Sequence, residues 1–184
     1  MNPVSLQKNI LMPGKFRNKY RIGSKRLKDY DYSSPGKYFI TICTLNRETY
    51  FGNENQLSEI GCIARQEWLK TPEIRSDMNL KLDEFVIMPD HFHAILIIGE
   101  NDNNCRGCRN VMHHVSTKMH HVSTFKSPHK NLGSVIRGFK SAVTTYARKN
   151  HIEFEWQPRY YDHVIRNETE LKRIRKYIKN NRVK

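Results

Sequence analysis

Acidic residues are scarce in this chain: 18 Asp and Glu stand against 32 Lys and Arg, a net charge of +14 over 184 residues. Such an excess ill suits an enzyme of neutral metabolites. It favours a polyanion, nucleic acid first and an anionic membrane surface second. Long apolar runs are also missing. None approaches the roughly 18 residues of a membrane span. The amino end lacks the basic-then-apolar order of an export signal, so the expected location is cytoplasmic, with no membrane partner. Cysteine is sparse, four residues in all, which excludes a disulfide scaffold and fits a reducing compartment. Nine glycines and seven prolines exclude a collagen-like chain, and 38% hydrophobic residues exclude a wholly disordered one. The length fits one domain with a core that needs no staples.

The positive charge is concentrated at the two ends. Residues 1–37 hold nine bases (Lys8, Lys15, Arg17, Lys19, Arg21, Lys25, Arg26, Lys28 and Lys37) against Asp29 and Asp31. With so few acids to balance them, residues 1–36 read as a basic arm, and Lys15, Arg17, Lys19, Arg21, Lys25, Arg26 and Lys28 are candidate DNA contacts. Residues 166–184 hold eight bases against Glu168 and Glu170.

Regular structure is expected across 37–184. KYFITICT, opened by Pro35-Gly36, reads as a strand. Leu57, Ile60, Ala64 and Trp68 recur at helical spacing, and Thr71-Pro72 is expected to end that helix. LKLDEFVIM and HFHAILII read as two further strands joined by the Pro89-Asp90 turn, the second apolar enough to be central. Residues 99–130 break the pattern. They contain a tandem repeat, MHHVSTK then MHHVSTF, and read as a flexible insertion. Cys105-x-x-Cys108 lies there near His113 and His114, but a second pair at zinc-finger spacing is missing. Leu132, Val135, Ile136, Phe139, Ala142, Val143 and Tyr146 then form a helical stripe, with Lys140 off its centre. A fourth strand falls around Tyr161, His163 and Ile165, and Leu171, Ile174 and Ile178 mark a closing helix. The order matches an α+β, βαββαβ ferredoxin-like unit.

Two constellations carry chemistry. His91-Phe92-His93 opens the third strand, where alternation sends both imidazoles to one face and Phe92 to the other. Two imidazoles so placed can grip one metal ion. An H-x-H alone is a weak signal, but burying two imidazoles beside a wholly apolar strand is costly without a task. In the last helix, Tyr177 and Asn181 stand one turn apart at the margin of the apolar stripe. Spacing alone reads as a core-margin tyrosine and a helix-end amide; it also permits a pair facing a cleft. Trp156, Tyr160 and Tyr161 serve equally well as core or as stacking surfaces for bases.

RLKDYDYSSPGKYFITICTLNRETYFG, FVIMPDHFHAILII, VIRGFKSAVT and WQPRYYDHVIRNETELKRIRKYIKNN, in that order, resemble the REP-associated tyrosine transposases. These belong to the insertion-sequence-200-like, single-tyrosine HUH transposases. The resemblance runs from about Arg26 to Asn181 and breaks only in the 99–130 insertion. It implies a ferredoxin-like fold with an antiparallel sheet and a catalytic C-terminal helix. His91 and His93 would be the metal-binding pair, Tyr177 the nucleophile and Asn181 a third ligand. One departure is Asp90, where relatives commonly carry Asn.

The implied activity is cleavage and rejoining of single-stranded DNA at hairpin-associated sites through a 5′-phosphotyrosine. Its cofactor is a divalent ion, Mn²⁺ or Mg²⁺, the mixed nitrogen and oxygen donors favouring Mn²⁺. Lys140 and Arg173 join the candidate DNA contacts, Arg173 lying one turn before Tyr177. The expected partner is single-stranded or hairpin DNA, and the expected assembly a monomer or homodimer. Two other readings compete. A replication initiator or relaxase would commonly show three histidines or paired tyrosines. A non-catalytic single-stranded nucleic-acid-binding domain would place aromatics on the sheet face where two histidines stand.

Overall fold

The computed structural model describes residues 15–16, 19–20, 27, 29–53, 56–102, 104 and 130–181. The main sheet has four strands: β1 (Gly36–Cys43), β2 (Leu80–Met88), β3 (His91–Ile98) and β4 (Tyr161–Ile165). Among the described residues three helices accompany them: α1 (Glu59–Ile74), α2 (Leu132–Lys149) and α3 (Glu168–Asn180). The strand order across the sheet is β2-β3-β1-β4, and every neighbouring pair is antiparallel. That is the α+β, ferredoxin-like βαββαβ arrangement the sequence predicts.

Alternation along the strands gives the sheet two faces. Tyr38, Ile40 and Ile42 of β1 and Phe92, Ala94, Leu96 and Ile98 of β3 point to one face. There they meet Ile60, Ala64 and Trp68 of α1 and Val135, Ile136, Phe139 and Val143 of α2. Trp68, Phe92 and Phe139 form a mutual aromatic cluster, with ring centroids 5.0 to 5.4 Å apart. Among the described residues the opposite face meets α3. Leu171, Ile174 and Ile178 cover Val86, Ile95 and Ile165, with Phe39 and Met88 at the border.

Each helix starts on a side-chain cap. Ser58 accepts from the Gly61 amide, Asn131 and Ser134 form a reciprocal capping box, and Asn167 accepts from the Glu170 amide. Contrary to the sequence expectation, α1 does not stop at Thr71-Pro72; it runs through Pro72 to Ile74. Proline this close to a helix end removes one hydrogen bond from the last turn, a much smaller cost than in mid-helix. Two short turns, Leu45–Arg47 and Ser76–Met78, carry no periodic signal in the sequence.

The folded body begins before Lys37: Tyr30 and Tyr32 pack against the main core. Asn104, buried, bonds the carbonyls of Ser33 and Gly99. Further upstream, Lys15–Phe16 and Lys19–Tyr20 pair as a short antiparallel ribbon. The candidate contacts Arg17, Arg21, Lys25, Arg26 and Lys28, the tandem repeat and Cys105 and Cys108 lie outside the described residues. Among the described residues no helix is long and apolar enough to cross a membrane.

Candidate active site

His91 and His93 sit at the start of β3 on the face covered by α3, their ring centroids 4.6 Å apart. Each ring is held from behind through Nδ1. For His93 the partner is Thr41 Oγ1 at 2.8 Å; for His91 it is Asp90 Oδ1 at 2.5 Å. The Asp90 carboxylate accepts from His91 Nδ1–H, whereas the Thr41 hydroxyl can donate to or accept from His93 Nδ1. This is the outer-shell support that metal-binding histidines commonly have. Thr41 supplies it because β1 and β3 pair in a register that sets Thr41 directly opposite His93 and Cys43 opposite His91.

The turn before His91 is pinned from the 44–51 segment. Thr44 donates its amide and its hydroxyl to the Asp90 carbonyl at 3.0 and 2.8 Å, and the Phe51 amide donates to the Pro89 carbonyl. Asn46 and Arg47 are both left-handed, with φ of 52° and 62°. From that turn Arg47 reaches the Asp90 carboxylate at 3.2 Å. Burial pushes the Asp90 pKa up, but bonds to His91 and Arg47 outweigh it, and the carboxyl titrates below its ordinary range. Asp90 thus does more than close a turn: it orients His91.

His93 is 6% exposed. Burial, then the neighbouring His91 and Arg47, push its pKa down to about 4, so at neutral pH the imidazole is uncharged. Phe39 stacks on it at 5.4 Å.

Helix α3 brings Tyr177 over this pair. Its phenol oxygen is 3.1 Å from His93 Nε2. The chain Thr41–His93–Tyr177 therefore runs from β1 through β3 to α3. The helix is fixed above the sheet by more than its apolar stripe. Arg175 makes a bidentate pair with Asp83, Nε at 3.0 Å and Nη2 at 2.6 Å, and Lys179 pairs with Glu84 at 3.0 Å. Lys37 pairs with Glu168 at the start of the helix. Asp83 and Glu84 occupy a β-bulge in β2, where the register with β3 shifts between Leu82 and Phe85. The extra residue lets two consecutive acids serve the same helix.

Asn181 caps α3, and its side-chain nitrogen is buried with no hydrogen-bond partner among the described residues. A buried amide left unsatisfied is costly. Rotating that amide would present its oxygen instead. Imidazole nitrogens and an amide oxygen are mixed donors that suit a divalent ion, and His93 Nε2 faces the Tyr177 phenol. Among the described residues no cluster of three or more His, Cys, Asp or Glu could hold a metal.

The remaining candidates separate. Arg173 is exposed and lies 3.7 Å from Glu170. Lys140 is turned inward: its ammonium donates to the carbonyls of Gln157 and Arg159 at 2.8 and 3.2 Å and lies 5.5 Å from the Trp156 ring centre. Burial lowers its pKa to about 8. It braces the segment that leads into β4. Lys15 and Lys19 lie in the short ribbon. Sequence reasoning missed Thr41, Phe39, Asp83, Glu84 and Arg175. Thr41 and Phe39 become visible only once strand order is known. The Asp83-Glu84 pair inside an apolar strand was a readable sign.

No protein-family model matches the chain. An uncharacterized protein of Haemophilus influenzae is 39% identical over 163 residues, 86% of each chain. Among solved structures, a REP-associated tyrosine transposase bound to a REP hairpin superposes with TM-score 0.53 at 19% identity, over 87% of this chain and 73% of that one. A crystal structure from Deinococcus radiodurans R1 reaches only TM-score 0.36 at 18% identity, over 86% of this chain and 98% of that one, too low to argue from. This chain belongs to one family with the Haemophilus influenzae protein, and its fold is that of a REP-associated tyrosine transposase.

Proposed function

We propose that this chain is a transposase of the single-tyrosine HUH kind, which cleaves and rejoins single-stranded DNA at hairpin-associated sites. The observation that carries the reading is the Tyr177 phenol 3.1 Å from His93 Nε2, on a fold shared with a transposase structure. That structure holds a REP hairpin, and the +14 charge of this chain suits the same class of partner.

The Tyr177 oxygen attacks the scissile phosphorus in line. A bond forms from that oxygen to phosphorus as the bond from phosphorus to the 3′ oxygen breaks. The products are a 5′-phosphotyrosine and, after the leaving oxygen takes up a proton, a free 3′-OH. A phenol is a competent nucleophile as phenolate, and its ordinary pKa is near 10. Tyr177 is half exposed, so solvent has access to its proton. His91, His93 and Asn181 would hold the divalent ion, Mn²⁺ or Mg²⁺, which when bound polarises the phosphate and offsets developing charge. Thr41 and Asp90 keep the two rings aimed. The phosphotyrosine conserves the phosphodiester's energy, so the reverse attack by a 3′-OH rejoins a strand without a nucleotide cofactor. Tyr177 meets His93 within the one chain.

The test is incubation with hairpin-bearing single-stranded DNA and Mn²⁺, followed by a denaturing gel. A slow-migrating protein–DNA band is expected for the natural chain and not for Tyr177→Phe. A band of equal strength in Tyr177→Phe, or mass spectrometry placing the nucleotide on Tyr146, Tyr160 or Tyr161, would overturn the assignment.

A further inference from the structure

Three aromatic side chains near the C-terminal third look interchangeable in the sequence, and the fold separates them. Trp156 and Tyr160 pack against the main core. Tyr161 does not: it is 46% exposed and lies on the α3 face of the sheet. Tyr161 and Tyr177 are the two markedly exposed aromatic residues among those described, and both set an edge against Phe39, at 6.5 and 6.2 Å between ring centroids. Phe39 in turn stacks on His93. Phe39 thus links the imidazole, the nucleophile and an open phenol ring.

The register makes this a designed row. Val86, His93, Thr41 and Tyr161 stand in line across all four strands. Strands are about 4.8 Å apart, so Tyr161 lies roughly 10 Å from His93 along the sheet, two strand spacings. Helix α3 covers Val86 and Ile165 but leaves Tyr161 open. The strand that carries Tyr161 is rigid at its entry. Lys140 holds the Gln157 and Arg159 carbonyls, and the Trp156 indole donates to the Lys140 carbonyl at 3.1 Å. Among the described residues the Tyr161 hydroxyl has no hydrogen-bond partner, so its ring is not placed there for a polar bond.

We infer that Tyr161 is a stacking platform for an unpaired nucleobase next to the scissile phosphate. The inference rests on the function proposed above. With a phosphate at the histidine pair, a neighbouring base reaches one or two strands along the sheet, where the Tyr161 face is open. Stacking tolerates any base, because every base has a π-face. Tyr161 would therefore set the position of the cleaved bond more than the identity of the base.

The test uses the Tyr177→Phe chain, which binds without cleaving, and a fluorescent hairpin with a single-stranded foot. Affinity is measured with Tyr161 intact, with Tyr161→Phe and with Tyr161→Ala, on the normal foot and on feet made abasic at one position in turn. Tyr161→Phe is expected to bind within about twofold of the parent and Tyr161→Ala about tenfold more weakly. One abasic position should erase the difference between parent and Tyr161→Ala. A Tyr161→Ala chain that melts like the parent and binds as tightly would overturn the platform and leave the functional reading standing. So would a tenfold loss that persists at every abasic position. A parent chain that binds no single-stranded DNA would overturn both.

Discussion

The two faces of the sheet are built by different physics. The face under α1 and α2 is a large aromatic and aliphatic core, from Tyr38, Ile40 and Ile42 through Phe92 to Trp68 and Phe139. The face under α3 has a small apolar cluster of six buried residues, supplemented by ion pairs at Arg175, Lys179 and Glu168. Burial is non-directional and fixes that two layers meet; it does not fix their angle closely. Bidentate pairs do fix an angle. The first face makes the domain stable. The second aims one phenol at one imidazole. Phe92 and His93 show the division within two residues of a single strand, one side chain for each face.

The sharpest break in this comparison is chemical. His91→Ala and His93→Ala should each abolish the DNA adduct and weaken Mn²⁺ binding while the chain still folds and melts cooperatively, because neither ring belongs to the main core. Isothermal titration with Mn²⁺ and a thermal melt check both halves. Full cleavage by the double variant in chelator-treated buffer would refute the metal role. On the other face Trp68→Ala should cost about 3–5 kcal/mol of stability in urea unfolding. A comparable loss from an α3-face variant such as Ile174→Ala would erase the distinction drawn here.

Much of the fold was legible because its strands follow period two and its helices carry apolar stripes that end at turn residues. KYFITICT, LKLDEFVIM and HFHAILII fall within a residue of β1, β2 and β3. Pro72 misled because proline is read as a breaker, yet the last turn of α1 needs one bond fewer. The same-face placement of His91 and His93 followed from strand alternation alone. Tyr177 and Asn181 did not follow from spacing; they were named through the resemblance, and only α3 docked on the sheet brings the phenol to His93. The supports Thr41 and Asp83 depend on cross-strand register and a bulge, which local patterns do not encode. Lys140 read as a surface base because it lies off the apolar stripe, but a long stem lets its ammonium turn toward carbonyls.

A smaller effect is expected on acidification. The His93 pKa is about 4 in the folded chain against an ordinary 6.5. Between those values the unfolded chain binds a proton that the folded chain refuses, so stability rises with pH across this window and falls as pH drops through it. Above 6.5 both forms are neutral and below 4 both are protonated, so the dependence from this group flattens outside the window. The shift corresponds to about 3 kcal/mol. His93→Gln removes the titration while keeping a polar partner for Thr41. Its stability, measured by urea unfolding from pH 7 to pH 4, should decline less steeply than that of the natural chain. Identical slopes would mean that His93 is not the buried neutral group described here.

The smallest expected effect tests whether the ion pairs aim the helix or merely decorate it. Asp83 is 12% exposed and meets Arg175 through two guanidinium nitrogens, whereas Glu84 and Lys179 are more open. Asp83→Ala or Arg175→Ala should each lower stability by about 1 kcal/mol, since the pair is only partly buried and salt screens it. If the pair only stabilised α3, adduct formation by the folded fraction would be unchanged. If it sets the angle of α3, Tyr177 loses its approach to the phosphate and single-turnover cleavage should fall about tenfold, a barrier increase of about 1.4 kcal/mol. The double variant should be no worse than either single one, because the two changes remove one interaction. Arg175→Lys discriminates further: an ammonium keeps the charge but cannot make the fork. It should restore most of the stability and little of the rate. Full recovery of rate by lysine would show that charge alone holds the helix and that the bidentate geometry at the β2 bulge has no part in aiming Tyr177.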